Sequence, residues 1–177
     1  MALIANLTRV AALPPVRPGP RPHTPRGLPH LQLDQFPPPQ VFQELLERAS
    51  QIPHSRVRES RMASSRSRAL YLADEFAGGP PEAFIDNHEF CHLLPLPEGT
   101  IHLTLPAILR EEVFRLGWGE RHPIAEFGIL PTLVTLYAPR NRAEMLAVLG
   151  FITQSCRFAQ GKLQALDREE RRFRGAR

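Results

Sequence analysis

Two short alternating segments constrain the fold of this chain more than any other feature. They are His88–Leu94 and Thr100–Leu105, and five residues ending in Gly99 join them. A connection of this length with a terminal glycine is typical of a β-hairpin. The sequence therefore predicts that these two segments are neighbouring antiparallel strands.

The apolar residues fix the register of the predicted hairpin. If Leu94 pairs with Thr100, His92 lies opposite His102, with Cβ atoms about 5 Å apart. A slip of one residue would turn the apolar side chains outward. One face is then apolar: Cys91, Leu93, Ile101, Leu103 and Leu105. The other face carries two histidines, two threonines and an aromatic residue: His92, His102, Thr100, Thr104 and Phe90.

Apolar periodicity predicts further elements on both sides of the hairpin. Strands are expected at about 69–73, 83–85 and 132–137, and helices at about 40–51 and 106–116. A last helix begins at Asn141, a good N-cap residue with Glu144 three positions later. We predict an α+β fold, in which a small antiparallel sheet of about four to five strands packs against two to three helices.

Prolines dominate the first quarter of the chain, which excludes a helix or a central strand there. We expect residues 1–39 to form an extended arm, residues 40–160 to form a single domain and residues 161–177 to form a charged helix end or tail. A length of 177 residues suits one domain with a sizeable core.

The basic charge of the chain comes almost entirely from arginine, since Lys162 is the only lysine. The densest cluster contains no aromatic residue, unlike most nucleic-acid interfaces: Arg56, Arg58, Arg61, Arg66 and Arg68. It indicates a solvated Ser/Arg-rich loop, or an anion-facing role for one or two of the arginines. No apolar run is long enough to span a bilayer. We expect no nucleic-acid partner and no membrane partner, and the sequence does not set the oligomeric state.

The two cysteines, Cys91 and Cys156, are too few for a disulfide framework. Both lie in apolar patterns and are expected to be small core residues. A reducing, cytoplasmic location is therefore expected.

A third polar segment, Gly117–Pro123, contains the only tryptophan, Trp118, and the pair Arg121–His122. Proline after His122 favours an extended backbone there, which would hold its side chain in place. Arg121 is a permanent cation suited to an enolate or carboxylate. The alternative for each histidine is a hydrogen-bonded structural role at the edge of the core.

These segments together resemble the luciferase domain family of bioluminescent fungi. The resemblance rests on three strings, His88-Glu-Phe-Cys-His92, Thr100-Ile-His-Leu-Thr-Leu105 and Gly117-Trp-Gly-Glu-Arg-His-Pro123, followed by Leu136-Tyr-Ala-Pro-Arg-Asn141. It covers residues 83–155 well and residues 13–82 loosely. The family's shared polar residues fall on Glu89, His92, Thr100, His102, Trp118, Arg121 and His122.

Two departures from the family pattern qualify the resemblance. Leu94 stands where the fungal enzymes have a second histidine, and the chain does not begin with their membrane-anchoring segment. The second departure leads us to expect a soluble relative. Light emission therefore does not follow from the resemblance.

The resemblance implies oxidation of a 3-hydroxy-2-pyrone (3-hydroxyhispidin) by O₂, without flavin, metal or nucleotide as cofactor. The sequence has no dinucleotide-binding glycine motif and no P-loop, which fits that implication. In such a reaction His102 or His92 would remove the enol proton. Arg121 would hold the resulting anion. Three aromatic residues would stack on the flat substrate: Trp118, Phe90 and Tyr137.

Two other interpretations stay open at the level of sequence. The first is a metal site built from His92, His102 and His122, with Glu89 joining only if a bulge reverses its strand parity. The second is a non-catalytic module that binds a small acidic or aromatic ligand, because membership of a family does not guarantee activity.

Overall fold

A six-stranded antiparallel sheet organises the protein, and the computed structural model describes residues 13–163 of it. The strands are β1 (Ser55–Glu59), β2 (Arg68–Leu72), β3 (Glu89–Leu93), β4 (Ile101–Thr104), β5 (Gly119–Arg121) and β6 (Leu133–Leu136). Their order across the sheet is β1-β2-β3-β4-β6-β5. The histidine-bearing strands β3 and β4 therefore occupy its centre.

Within residues 13–163, four helices accompany the sheet: α1 (Pro39–Ser50), α2 (Ala107–Arg115), α3 (Pro123–Glu126) and α4 (Arg142–Ala159). Two 3₁₀ turns, Asp74–Phe76 and Pro81–Ala83, lie between β2 and β3. The α+β prediction is confirmed, with one strand and one short helix more than the largest numbers expected.

The predicted register of the central hairpin is confirmed. His92 pairs with His102, and the Leu94 amide donates to the Thr100 carbonyl over 2.8 Å. Because β4 also pairs with β6, this register sets Thr135 beside His102 on the next strand. The same face of β5 carries Glu120, which pairs with Thr135.

A bulge at Phe90 corrects one prediction. Leu70 pairs with Cys91 and Tyr71 pairs with Glu89, so Phe90 has no partner on β2. An extra residue of this kind reverses the alternation of side chains along the strand. Phe90 therefore lies in the apolar core and not on the histidine face, and its predicted pairing with Thr104 does not form.

The opposite face of the sheet carries the main core. Its strand residues include Leu70, Cys91, Leu93, Ile101, Leu103, Val134 and Leu136, all nearly inaccessible to solvent. The helix α4 packs against this face through Val148, Ile152 and Cys156, and α1 packs against α4. The helix α4 begins as predicted, because the Asn141 side chain accepts from the Glu144 amide over 3.0 Å.

Two local predictions were wrong. Residues 55–59, expected within an arginine-rich loop, form the edge strand β1. Residues 119–121, for which no strand was predicted, form β5. Residues 83–85 do not form a strand, since Pro81–Ala83 is a 3₁₀ turn and Asp86 makes only an isolated bridge to Glu89. Arginines suit β1, because charges on an edge strand oppose pairing with other chains.

The arm from residue 13 to residue 38 is extended and lies against the sheet and its connections. The Arg17 amide donates to the Leu116 carbonyl over 2.9 Å, and the Trp118 indole donates to the Pro15 carbonyl over 2.8 Å. Residues 1–12 of the predicted arm, and residues 164–177 of the charged tail predicted over 161–177, lie outside the described residues. Within residues 13–163, no helix combines the length and apolarity needed to cross a bilayer.

Gln32 is the innermost anchor of the arm. Its backbone amide donates to Thr100 Oγ1 over 2.9 Å, and its side-chain oxygen accepts from the backbone amide of Ala138 over 2.7 Å. The side chain is fully buried and both of its ends are bonded. This anchoring holds the preceding residues 28–31 against the histidine face of the sheet.

Candidate active site

Four histidine rings lie together on the histidine face of the sheet. The ring centroids of His92 and His102 are 5.0 Å apart, and those of His102 and His122 are 4.6 Å apart. The His30 ring lies 5.2 Å from that of His122 and 6.4 Å from that of His102. All four side chains are buried, so the cluster is shielded from bulk water.

Three of the side chains in this region form a linear hydrogen-bonded chain. His92 Nδ1 lies 2.7 Å from Glu89 Oε1, and His92 Nε2 lies 2.9 Å from His102 Nδ1. A carboxylate can only accept, so His92 carries a proton on Nδ1, and as a neutral imidazole it then accepts at Nε2. His102 must then donate from Nδ1, which leaves a lone pair on its Nε2.

Glu89 is the fixed end of this chain. Its side chain is completely buried and also accepts from the Tyr71 hydroxyl over 2.7 Å and from the Ser60 hydroxyl over 3.0 Å. Ser60 in turn accepts from the Met62 amide, so its proton is directed to Glu89. Burial, followed by the bond to Glu89, raises the pKa of Tyr71 to about 12, so the tyrosine stays a donor.

His102 Nε2 is buried and has no hydrogen-bond partner within residues 13–163. Burial, reinforced by the charges of neighbouring histidines, holds the pKa of His102 well below its ordinary value. The imidazole is therefore neutral at pH 7. A neutral imidazole with a bare, buried lone pair can accept a proton from a bound ligand.

His122 has the complementary tautomer. It caps α3, where its Nδ1 accepts from the Ile124 amide over 3.2 Å. Its proton therefore lies on Nε2, which makes this nitrogen a donor. Burial, with the charges of His30 and His92 as further causes, lowers the pKa of His122 to about 4. His102 and His122 thus provide an acceptor and a donor in contact with each other.

His30 is a member of the cluster that the sequence prediction missed. The arm brings it to the sheet, and its Nε2 lies 2.9 Å from Glu120 Oε1 on the edge strand β5. An isolated histidine in a proline-rich segment has no periodic pattern to mark it. The only sequence signal is that it stands between Pro29 and Leu31 in the one stretch of the arm that is not basic.

A cavity of about 500 Å³ opens over the cluster. Three of the predicted site residues line it, His92, His102 and His122, together with His30. The remaining wall is largely apolar and comes from the arm, from the β1–β2 connection and from the sheet: Leu28, Pro29, Leu31, Met62, Ala63, Ser64, Ile85, Leu94, Ile124 and Leu133. Its size and lining suit a small, mostly apolar ligand with few polar groups.

The other predicted site residues do not line this cavity. Glu89 and Phe90 lie behind the sheet surface, Glu89 bonded to His92 and Phe90 in the core. Thr100 and Trp118 bind the arm, through Gln32 and Pro15 respectively. Tyr137 is fully buried and donates to Glu120 Oε2 over 2.8 Å, so its ring is not free to stack on a ligand.

Arg121 also lies outside the cavity. It follows Glu120 on β5 and pairs with Val134, whose side chain belongs to the core face. Its guanidinium lies 5.8 Å from the centre of the Phe114 ring, and it lines a second cavity that shares His30 with the first. The strand parity that brings Glu120 to the histidines turns Arg121 away from them.

The hydrogen bonds within the cluster argue against the metal site considered from the sequence. His92 Nε2 and His102 Nδ1 are bonded to each other, so neither nitrogen is free to bind an ion. Across residues 13–163, no group of three or more His, Cys, Asp or Glu side chains is arranged to hold a metal. Glu89 does join His92, by way of the bulge, but as a hydrogen-bond acceptor.

Known proteins match the part of the chain that carries most of this site. Residues 87–155 match the family model described as Luciferase domain. The chain is 32% identical over 154 residues to a luciferase of Armillaria gallica, which covers 77% of this chain and 57% of the relative. A luciferase of Neonothopanus nambi is 44% identical over 63 residues, covering 34% of this chain and 24% of the relative.

The chain spans little more than half the length of the Armillaria relative. No solved structure matches it significantly. The matched residues 87–155 include β3, β4, β5, β6 and most of α4, and so contain three of the four clustered histidines. Through these residues, the chain belongs to the luciferase domain family.

Proposed function

We propose that the protein is a luciferase-like oxygenase that uses O₂ without a bound cofactor and acts on a 3-hydroxy-2-pyrone or a similar enolisable aromatic compound. The observation that carries the proposal is the unpartnered lone pair of His102 Nε2 at the end of the chain from Glu89 through His92. A compound of this class needs only one proton removed to become rich enough in electrons to react with O₂.

The first step is removal of the enol proton by His102 Nε2. The O–H bond of the substrate breaks and a new N–H bond forms. His102 can then pass its Nδ1 proton to His92 Nε2 over 2.9 Å, so that the positive charge comes to lie beside Glu89. The basicity belongs to the pair of histidines rather than to His102 alone, whose own pKa is depressed by burial.

The second step is the reaction of the enolate with O₂. A carbon of the enolate gives two electrons to O₂, a C–O bond forms and O₂ is reduced to the level of a peroxide. The proton held by the two histidines returns to the peroxide oxygen, which balances the reaction. The Nε2 proton of His122 is available to bind the oxygen on which charge develops, since its Nδ1 is occupied by the Ile124 amide.

The apolar cavity wall supports this chemistry in a second way. A dry site strengthens hydrogen bonds to an enolate and protects a reactive peroxide from water. The family of the chain supports the class of reaction, because the relatives carry the name luciferase. Light emission is not part of the proposal.

The test is oxygen uptake by the chelator-treated protein given 3-hydroxyhispidin, with light recorded in parallel. We expect uptake by the unaltered protein and a loss of about 10²–10⁴-fold in His102→Ala. The matched control is His88→Ala, which removes a half-exposed histidine that contacts Asp74 outside the cavity. Uptake that survives in His102→Ala would contradict the assignment of the base.

A second candidate is a binding module that holds such a compound without oxidising it. One observation favours it: Leu94 lines the cavity at the position where the resemblance expects a second histidine. The same experiment separates the two functions. Tight binding of 3-hydroxyhispidin in a calorimeter, without oxygen uptake, would establish the binding module.

A further inference from the structure

His30 differs from the other clustered histidines in where it comes from. The arm carries it, outside the matched residues 87–155. Its side chain is buried, lines the cavity and lies close to both His102 and His122. Neither step of the proposed reaction uses His30.

Both ring nitrogens of His30 face acceptors. Nδ1 lies 3.0 Å from the Pro25 carbonyl oxygen and Nε2 lies 2.9 Å from Glu120 Oε1. Burial opposes ionisation of Glu120, but hydrogen bonds from His30, Thr24 and Tyr137 outweigh it and lower the pKa of this carboxyl. Glu120 is thus a carboxylate, which can only accept. An imidazole that donates from both nitrogens is an imidazolium.

His30 lines both cavities, whereas its counter-charge, Glu120, lines only the second. The cavity over the histidines is lined by no Asp, Glu, Lys or Arg within residues 13–163, so an imidazolium at His30 is its one formal charge. Glu120 instead lines the second cavity, of about 560 Å³. The charged groups that join it there are Arg26, Arg121 and Glu126.

We propose that His30 is a fixed imidazolium by which the arm selects the anionic form of an acidic enol or phenol in the cavity. This inference rests on the proposed function of the site, but its test requires no turnover. The ligand gives its hydroxyl proton to His102 Nε2, and its negative oxygen lies in the field of His30. Since both N–H groups of His30 are already used, the residue acts through its charge and His122 supplies the hydrogen bond.

The charge of His30 also keeps its neighbours in the required state. Burial is the largest cause of the low pKa values of His102 and His122, and the charge of His30 lowers both further. The backbone of His30 has the opposite effect on the pKa of His102. The cation keeps His102 unprotonated before the ligand binds, but it also makes His102 a weaker base. It favours ionisation of the ligand only through its attraction for the anion.

The test uses 7-hydroxycoumarin, a fluorescent phenol with a fused 2-pyrone ring whose excitation spectrum distinguishes phenol from phenolate. In the unaltered protein we expect the bound probe to ionise at a pH about one unit or more below that of the free probe. In His30→Gln, which can still donate to one acceptor, we expect the preference for phenolate to fall about tenfold or more. Arg26→Gln removes a charge from the second cavity only and should leave the preference unchanged.

Direct observation of His30 provides a second measurement that does not depend on the variant. Nitrogen chemical shifts of the labelled protein at pH 7 should show both His30 nitrogens protonated. A neutral His30, a probe that binds as phenol or not at all, or a His30→Gln protein that still prefers phenolate would overturn the inference. Selection of phenolate without oxygen uptake from 3-hydroxyhispidin would uphold the inference while the proposed function failed.

Discussion

Glu89 and Glu120 each hold a histidine on the same face of the sheet, but they leave the two imidazoles in different states. His92 faces one acceptor, Glu89, and one donor, His102, so it is neutral and can pass a proton. His30 faces two acceptors, Pro25 and Glu120, so both of its nitrogens donate and its ring carries the charge of an imidazolium. Both histidines bond to a carboxylate, so the difference comes from the group at the other ring nitrogen. A donor there leaves the imidazole neutral and able to pass a proton, whereas an acceptor there makes it a cation.

Replacing Glu89 should have the largest effect, which we expect on oxygen uptake. In Glu89→Gln the amide can donate to His92 Nδ1, which reverses the tautomers along the chain and leaves a proton on His102 Nε2. We expect a loss of oxygen uptake of about 10²–10⁴-fold, measured with 3-hydroxyhispidin. Glu112→Gln, which removes a surface partner of Arg115, is the control. Full activity in Glu89→Gln would show that the tautomer of His92 does not matter.

Gly119 tests how closely β5 must approach its neighbour to bring Glu120 to the cluster. A Cβ at this position would lie 2.2 Å from the Thr135 carbonyl oxygen, a backbone atom of β6 that cannot turn aside. We expect Gly119→Ala to lower the free energy of unfolding by roughly 3 kcal/mol or more, measured by urea denaturation.

The matched control for that substitution is Gly150→Ala in the helix α4. Nothing lies within 4 Å of a Cβ there, so the change should raise the free energy of unfolding by up to about 1 kcal/mol. Equal effects at the two positions would mean that β5 can move away from β6 without cost.

The pH dependence of oxygen uptake tests whether the imidazoles of His102 and His122 are neutral. The pKa of His122 is lowered to about 4 and that of His102 is also lowered, so both stay neutral well below pH 6.5. We expect oxygen uptake at pH 5.5 to remain close to that at pH 7. A loss of activity centred on pH 6.5 would show that an ordinary, exposed imidazole controls the reaction.

The same pKa shifts make the free energy of unfolding depend on pH. Below pH 6.5 the unfolded chain binds protons at these histidines and the folded chain does not, so acid favours unfolding. The melting temperature should fall as the pH is lowered from about 6.5 towards 4. Because the two depressed pKa values cause this fall, it should be smaller in His122→Gln.

The smallest effects should come from the two tyrosines that support the two carboxylates. Tyr71 donates to Glu89 and Tyr137 donates to Glu120. We expect Tyr71→Phe and Tyr137→Phe each to lower the free energy of unfolding by about 1 kcal/mol. Only Tyr137→Phe should weaken the preference for phenolate in the fluorescence assay, since it loosens the partner of His30. Equal losses of that preference in both variants would contradict the separation of roles.

Much of the fold could be predicted because it is recorded in local patterns. The alternation around His92 and His102 fixed one register, since a slip would have exposed Ile101 and Leu103. The N-cap at Asn141 fixed the start of α4 in the same way. Both predictions needed only neighbouring residues.

The predictions that failed depend on contacts between distant parts of the chain. The bulge at Phe90 arises from how β3 meets β2, and it exchanges Phe90 for Glu89 in the surroundings of His92. The strands β1 and β5 are short, and Arg58 and Arg121 mask any alternation of apolar residues. His30 reaches the site only because Gln32 is bonded to Thr100 and Ala138, over 68 and 106 positions in the chain.

The arm has a consequence for how this protein can acquire new ligands. Residues 28–31 form part of the cavity wall but pair with no strand, whereas the proton-transferring residues lie on the paired strands β3 and β4. Substitutions at Leu28 or Leu31 would reshape the cavity without disturbing a ladder of the sheet. Residues 28–31, which line the cavity, and the strands that carry the proton-transferring residues are thus separate segments of the chain. The first segment can change in sequence while the second stays constant.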